Sequence, residues 1–329
     1  MEVDTMGGRW MLALMIAAFG WVSAHAQEVR SGAAGNRIDL AIVSRTVFYL
    51  PLWLAAEKGY FAEEGIDLRV EVFDNAEKIN EALRSGAVQI AMSTPESIMA
   101  DALKGGSLRV VAGNAGRLPH FIIARPEIRT IADLRGKTIG VLSDQEGTTN
   151  LVPEVTRSAG LKPGDYVVKA VGGAPTRWRL LRSGEIDAGL QPFPLSYEAE
   201  AAGFSNLGPL SGFVPEWQFT SVNVDMRWAK ANRNRLTAAL RALRRGLDAI
   251  AVEPATAAAV AARELKTSEP LAARAIADTA RLGILTPGME VSLPGLKKVH
   301  EALVAAGLVA SEPFDAGRVV DASFLRASR

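Results

Sequence analysis

Apolar and polar positions follow two rhythms over residues 37–225, and a third pattern takes over beyond them. Residues 38–43 form a short apolar run broken only at Asp39, as a buried strand does. Pro51 suits the first turn of a helix, where a missing N–H costs nothing. Leu52, Ala55 and Ala56 then share one helical face, and Gly59 sits where the helix stops. From residue 66, Ile66, Leu68, Val70 and Val72 alternate with Asp67, Arg69 and Glu71, the period of a strand. Strand, helix and strand on such short connections predict a parallel βαβ unit with a right-handed crossover. Its first loop, 44–50, lies at the carboxyl end of a parallel strand, where open α/β sheets bind ligands.

The same grammar continues. A helix over 76–85 has Ile79, Ala82 and Leu83 in phase and closes on Gly86; a strand follows at 88–92. Ser93-Thr94-Pro95-Glu96 predicts a helix capped by a hydroxyl, with proline in its first turn. With a strand at 108–112, this alternation predicts a parallel sheet covered on both faces. After an extended piece at 118–124 the pattern restarts, with strands at 138–141, 167–171 and 186–190. Helices lie between and after them, at 148–159, 176–183 and 194–202. The phrase EALRSGAVQIA at 81–91 is echoed by RLLRSGEIDAG at 179–189, so two halves built from one unit are expected. Beyond an extended stretch at 219–224 the chain turns helical. Leu236, Leu240, Leu243, Leu247 and Ile250 form one stripe, and further helices are predicted at 255–265, 270–282 and 293–306. These late helices have no sheet of their own and are expected to pack on the first half. The fold class is therefore α/β, with lobe 1 from 37–120 plus 225–329 and lobe 2 from 125–218. Crossings near 119–126 and 218–225 would form a hinge beside an interlobe cleft.

Charge and cysteine usage narrow the setting. The formal net charge of +1 gives no footprint for nucleic acid or an acidic membrane. No cysteine is present, which removes disulfides, thiolate metal sites and thiol nucleophiles. Residues 10–22 are continuously apolar, too short to span a bilayer comfortably, and Ala24-His25-Ala26 offers a cleavage site before Gln27. Residues 1–26 are thus expected to be a signal peptide. Glu2 and Asp4 fit its start poorly, which points to initiation at Met6. A mature chain without a lipobox cysteine is expected to be free in the periplasm.

Residues 48–70 carry a resemblance: aromatics and Pro-Leu, then Ala-x-Glu-Lys-Gly-Tyr-Phe-x-Glu-Glu-Gly-Ile-Asp. With His120–Arg125, the phrase Ile131-Ala132-Asp133-Leu134-Arg135-Gly136-Lys137-Thr138-Ile139-Gly140-Val141 and the two Arg-Ser-Gly turns, most of 37–225 resembles one family. It is that of the solute-binding proteins of ABC importers for nitrate, sulfonates, taurine and thiamine-type pyrimidines. The resemblance implies a type II periplasmic binding protein fold and a clamp that closes on one small ligand. It implies delivery of that ligand, a small organic anion or heterocycle of the sulfonate, aromatic carboxylate or thiamine-precursor class, to an inner-membrane ABC permease; a monomer without cofactor is expected. Enzymes share the fold, including a thiamine-pyrimidine synthase and menaquinone-pathway enzymes. The synthase relies on a cysteine-rich motif this chain lacks, and the pathway enzymes act inside the cell.

Candidate ligand residues follow from the strand ends. Phe48 and Tyr49 would wall a pocket or join the core. Thr94 and Glu96 stand at a helix N-terminus that favours an anion. Gly147, Thr148 and Thr149 open another helix, without the lysine and spacing of a P-loop. Gln191 and Phe193 follow a strand, Trp217 sits by the second crossing, and His120 lies in the first. Arg177 and Arg179 have the chemistry to pair with an anion, against which stands the commoner solvated arginine. His300 falls among charges on a helix expected to be at the surface. The scattered histidines form no metal cluster. The aromatics favour an organic ligand over a bare ion.

Overall fold

A computed structural model describes residues 36–73, 75–143 and 147–329, excepting the side chains of Gly147 and Thr148. The expected signal peptide, 1–26, lies outside the described residues. Among the described residues ten strands are seen: β1 (Arg37–Ile42), β2 (Asp67–Val72), β3 (Ile90–Ser93), β4 (Leu108–Ala115), β5 (His120–Ala124), β6 (Thr138–Val141), β7 (Val167–Ala170), β8 (Ala188–Pro192), β9 (Ser205–Pro209) and β10 (Thr220–Asp225). They form two five-stranded sheets, ordered β2-β1-β3-β10-β4 and β7-β6-β8-β5-β9. The orders are the same once β6, β7, β8, β5 and β9 stand for β1, β2, β3, β10 and β4. The echoed phrases at 81–91 and 179–189 occupy equivalent helix–strand places in this scheme.

Each sheet is mixed, which corrects the expectation of parallel sheets. β1 runs parallel to β2 and β3, and β6 runs parallel to β7 and β8. β10 is antiparallel to β3 and β4, and β5 to β8 and β9. The reason is the route of the chain. β4 ends at the carboxyl edge of its sheet, and residues 116–119 carry the chain directly to the other sheet. It enters at that sheet's carboxyl edge, so β5 must run backwards. β9 and β10 repeat the manoeuvre in the other direction, across 210–219. Two direct crossings therefore bring the two carboxyl edges to the same place.

The longer helices are α1 (Leu50–Glu57), α2 (Ala76–Ser85), α3 (Glu96–Leu103), α4 (Gly147–Arg157), α5 (Ala174–Ser183), α6 (Leu195–Ala201), α7 (Arg233–Val252), α8 (Pro254–Leu265), α9 (Glu269–Arg281) and α10 (Leu293–Ala305). α7 and α8 pack on α1, and in α7 the residues Leu236, Leu240 and Leu243 are fully buried. Leu247 and Ile250, later in the same stripe, are only partly covered. α9 and α10 reach towards the second sheet. Tyr197 of α6 donates a hydrogen bond to Asp278 of α9, with Arg274 stacked 3.9 Å over its ring. Val47, Phe193, Tyr197 and Ala275 join there in one apolar cluster. Lys298 of α10 pairs with Glu154 of α4 at 3.5 Å.

Two local readings change. The expected hydroxyl cap on α3 is absent: Pro95 holds the N-cap position without a side-chain bond. Ser93 is still part of β3, where its Oγ accepts from Asn223 Nδ2 at 3.0 Å, so sheet pairing takes the capping candidate. His300 is buried, not on the surface, with its ring 5.7 Å from Phe314. It lies on the face of α10 that also buries Leu296, Val299 and Leu303.

Candidate functional site

Where the two carboxyl edges meet, β1 contributes its following loop with Thr46 and a single 3₁₀ turn, Val47–Tyr49. β3 contributes Thr94, β6 Leu142 and β8 Pro192; the crossings add His120, Phe219 and Thr220. Gly173, Ala174 and Arg177 come from the start of α5. Together they enclose a cavity of about 30 Å³. That is space for little more than one water molecule.

Arg177 is the charged side chain in this lining, and only 4% of it is exposed. α5 begins after Gly172-Gly173, with Pro175 in its first turn, so Arg177 lies one turn inside the helix. Its Nε donates to the Leu190 carbonyl at 3.0 Å and Nη1 to the Gly172 carbonyl at 2.9 Å. These bonds clamp the guanidinium between β8 and the loop that opens α5. A cation held so in a water-poor site attracts an anion far more strongly than one in solvent.

The opposite wall is aromatic. Phe48 meets Tyr49 edge-on at 4.7 Å and Phe219 at 5.1 Å, and Phe219 meets His120 at 4.9 Å. Asn114 Nδ2 donates to both the Phe48 carbonyl and Thr220 Oγ1, each at 2.9 Å, which ties the aromatic turn to β4 and β10. Thr46 Oγ1 and His120 Nδ1 are buried without a hydrogen-bond partner among the described residues.

Burial, and secondly the Arg177 charge, hold the His120 pKa well below the usual 6.5, so the ring is neutral at pH 7. An unfolded histidine takes up its proton near 6.5, whereas the folded one resists. Stability is therefore untouched above that value and falls as pH drops from about 6.5 towards the depressed folded pKa. Replacing His120 with glutamine is expected to flatten this part of the curve, as measured by urea unfolding between pH 5 and 7.5.

Of the residues singled out in the sequence, the fold brings Phe48, Tyr49, Thr94, His120 and Arg177 together in the cavity lining. Of the others, those whose side chains are described lie away from it. Glu96 is buried at the start of α3 and lines an outer groove with Asn80 and Asp101. Thr149 Oγ1 turns back to the Ser143 carbonyl, while Gly147 and Thr148 open α4. Gln191 is fully buried; with its amide turned over it donates to the Ala174 carbonyl (3.2 Å) and accepts from the Trp178 backbone N–H (3.1 Å). Phe193 belongs to the apolar cluster with Tyr197, and Trp217 is core. Arg179 is exposed, near Glu185 at 3.8 Å. Among the described residues no group of three or more His, Cys, Asp or Glu stands ready to hold a metal. The candidates passed over were Thr46, Phe219 and Thr220, all within a few residues of a predicted strand end. Arg177 was legible as a cation near a helix start, but not as a buried one.

The family model described as NMT1/THI5 like matches residues 48–257, a span that opens on the aromatic turn and includes Arg177. The chain belongs to the NMT1/THI5-like family. Among its curated relatives, a Brucella abortus protein provisionally named a binding protein is 30% identical over 172 residues, 51% of this chain and 52% of that one. The Saccharomyces cerevisiae 4-amino-5-hydroxymethyl-2-methylpyrimidine phosphate synthase THI12 is 27% identical over 150 residues, 44% of this chain and 42% of that one. This NMT1/THI5-like chain thus spans about half the length of the curated relatives it matches. Two solved structures share its fold more completely. The ligand-binding component of an ABC-type import system from Staphylococcus aureus gives a TM-score of 0.74 at 13% identity, covering 89% of this chain and 99% of that one. The alkanesulfonate-binding protein SsuA of Xanthomonas axonopodis pv. citri, bound to MOPS, gives 0.71 at 17% identity, covering 87% and 99%. The architecture is that of the periplasmic binding proteins.

Proposed function

We propose that this chain is the solute-binding component of an ABC importer, working in the periplasm. It would shut on a small organic anion and pass it unchanged to a membrane permease. The observation that carries the reading is Arg177, a buried guanidinium facing neutral His120, the Thr46 and Thr94 hydroxyls and an aromatic wall. A sulfonate or carboxylate suits the cation and hydroxyls; a ring or alkyl group suits Phe48, Tyr49 and Phe219. The SsuA relative in fold, named for alkanesulfonates, is consistent with this class. Each half alone offers only part of that contact set, so ligand binds best when both close on it, and closure follows as a population shift. The lobes would be 37–120 with 225–329, and 125–218. A cavity of about 30 Å³ is too small for an organic anion, so entry requires them to part about the two crossings.

The test is a thermal-shift panel of alkanesulfonates, taurine, aromatic carboxylates, nitrate and the hydroxymethylpyrimidine, followed by mass spectrometry of the recovered compound. One organic anion should stabilise the protein by about 2.7 kcal/mol at a hundred times its Kd, and come back unaltered. Stabilisation by nitrate alone, or by none of these, would overturn the proposal. A second reading, an enzyme like the named yeast synthases, draws on the 27% identity over 150 residues. Conversion of a bound compound to product would favour it.

A further inference from the structure

Thr46 and Pro192 line the cleft from opposite lobes, and one residue further along each segment the lobes touch directly. Val47, after Thr46, and Phe193, after Pro192, are each 1% exposed and join one apolar cluster with Tyr197 of α6 and Ala275 of α9. The Phe193 and Tyr197 rings lie 5.0 Å apart. Val47 and Ala275 fall in lobe 1 of the division proposed above, Phe193 and Tyr197 in lobe 2. The cluster therefore exists only while the lobes are together.

A polar contact covers it. The Tyr197 hydroxyl donates a hydrogen bond to Asp278, and the Arg274 guanidinium lies 3.9 Å over the Tyr197 ring. Asp278 is held in turn by Arg281, whose Nε and Nη2 donate to its Oδ1 at 3.0 and 2.9 Å. Tyr197 is 6% exposed and the Asp278 side chain 20%, so a charged acceptor is bonded largely out of water. Both conditions strengthen a hydrogen bond. Another pair across the lobes lacks them. Lys298 and Glu154, 3.5 Å apart, have side chains 37% and 35% exposed, and exposed ion pairs contribute little.

We propose that Tyr197, Asp278 and Arg274, over the cluster of Val47 and Phe193, form a latch that holds the lobes together before ligand arrives. The latch presupposes the two-lobe clamp proposed above, and not the identity of its ligand. Entry then requires the latch to open, and ligand contacts need supply only the remainder of closure. The chain has no cysteine, so Val72→Cys and Ala170→Cys place a dye pair at the exposed carboxyl ends of β2 and β7, equivalent edge strands of the two sheets. Single-molecule energy transfer, on protein refolded to strip bound solute, should show mainly the shorter distance. Tyr197→Phe should raise the open-to-closed ratio at least fivefold, Arg274→Gln should raise it, and Glu154→Gln should change it less than twofold. Thr46→Trp, a wedge in the cleft, should part the lobes with the latch residues intact. Circular dichroism checks each variant, and Thr94→Trp replaces the wedge if Thr46→Trp does not fold. A mainly open unmodified protein would overturn the latch and leave the clamp standing. So would a ratio unchanged in Tyr197→Phe while the wedge parts the lobes, or equal opening by Glu154→Gln. A wedge that leaves the distance unchanged would overturn clamp and latch together.

Discussion

Arg177→Met is expected to reduce affinity for the anion identified by the ligand panel by about ten- to a hundredfold, measured by isothermal titration calorimetry. Hydrogen bonds to a charged group contribute about 1.5–3 kcal/mol, and each 1.4 kcal/mol is tenfold in Kd. The guanidinium is 4% exposed, so water cannot replace the lost charge cheaply. The same substitution removes the donors to the Leu190 and Gly172 carbonyls. It should therefore also lower stability, by about 1–3 kcal/mol. Arg177→Lys separates the two effects: it keeps the charge but not the planar fork, and should retain part of the affinity. Unchanged binding in Arg177→Met would place the anion somewhere other than the cleft between the sheets.

Gly246→Ala should destabilise the protein by about 2 kcal/mol or more, read from the urea midpoint. Helix propensity alone predicts the opposite, a gain of about 1 kcal/mol. Geometry decides the sign: a Cβ on Gly246 would fall 2.0 Å from the Pro51 carbonyl oxygen and 2.9 Å from Ala55 Cβ. Backbone and a helix-borne methyl cannot swing aside, so α7 must retreat from α1, and such overpacking costs about 1–3 kcal/mol or more. α1 follows directly on the turn that carries Phe48 and Tyr49, so ligand affinity should fall with stability. Gly212→Ala serves as the control, since its nearest neighbour would be Pro209 Cγ at an ordinary 3.7 Å. A stabilised Gly246→Ala would mean that the two helices are not held this close.

Local chemistry made much of the fold readable. Period-two and helical stretches, with stops such as Gly59 and Gly86, marked most of the strands and helices. Those two glycines do sit at positive φ, where other residues are strained. The same reading marked Arg177 and Arg179 as cations near a helix start. It could not separate them, because residues two apart on a helix point in widely different directions. Packing against β8 buries Arg177, and Arg179 is left in solvent.

Strand ends pose the same difficulty with period two. Gln191 and Phe193 flank Pro192 at the carboxyl end of β8, and it is Pro192 that lines the cleft. Adjacent residues on a strand face opposite ways, and which face meets the cleft is set by pairing with partners far along the chain.

The amino-acid sequence by itself determined the α/β alternation, the two-half repeat and the family, because these rest on contacts and turns within a few residues. Only the tertiary structure decided that β5 and β10 run backwards, that Arg177 is buried beside His120, and that Trp217 and Phe193 are core. Those outcomes depend on where a strand enters a sheet formed by residues a hundred positions away, which no local pattern of side chains encodes.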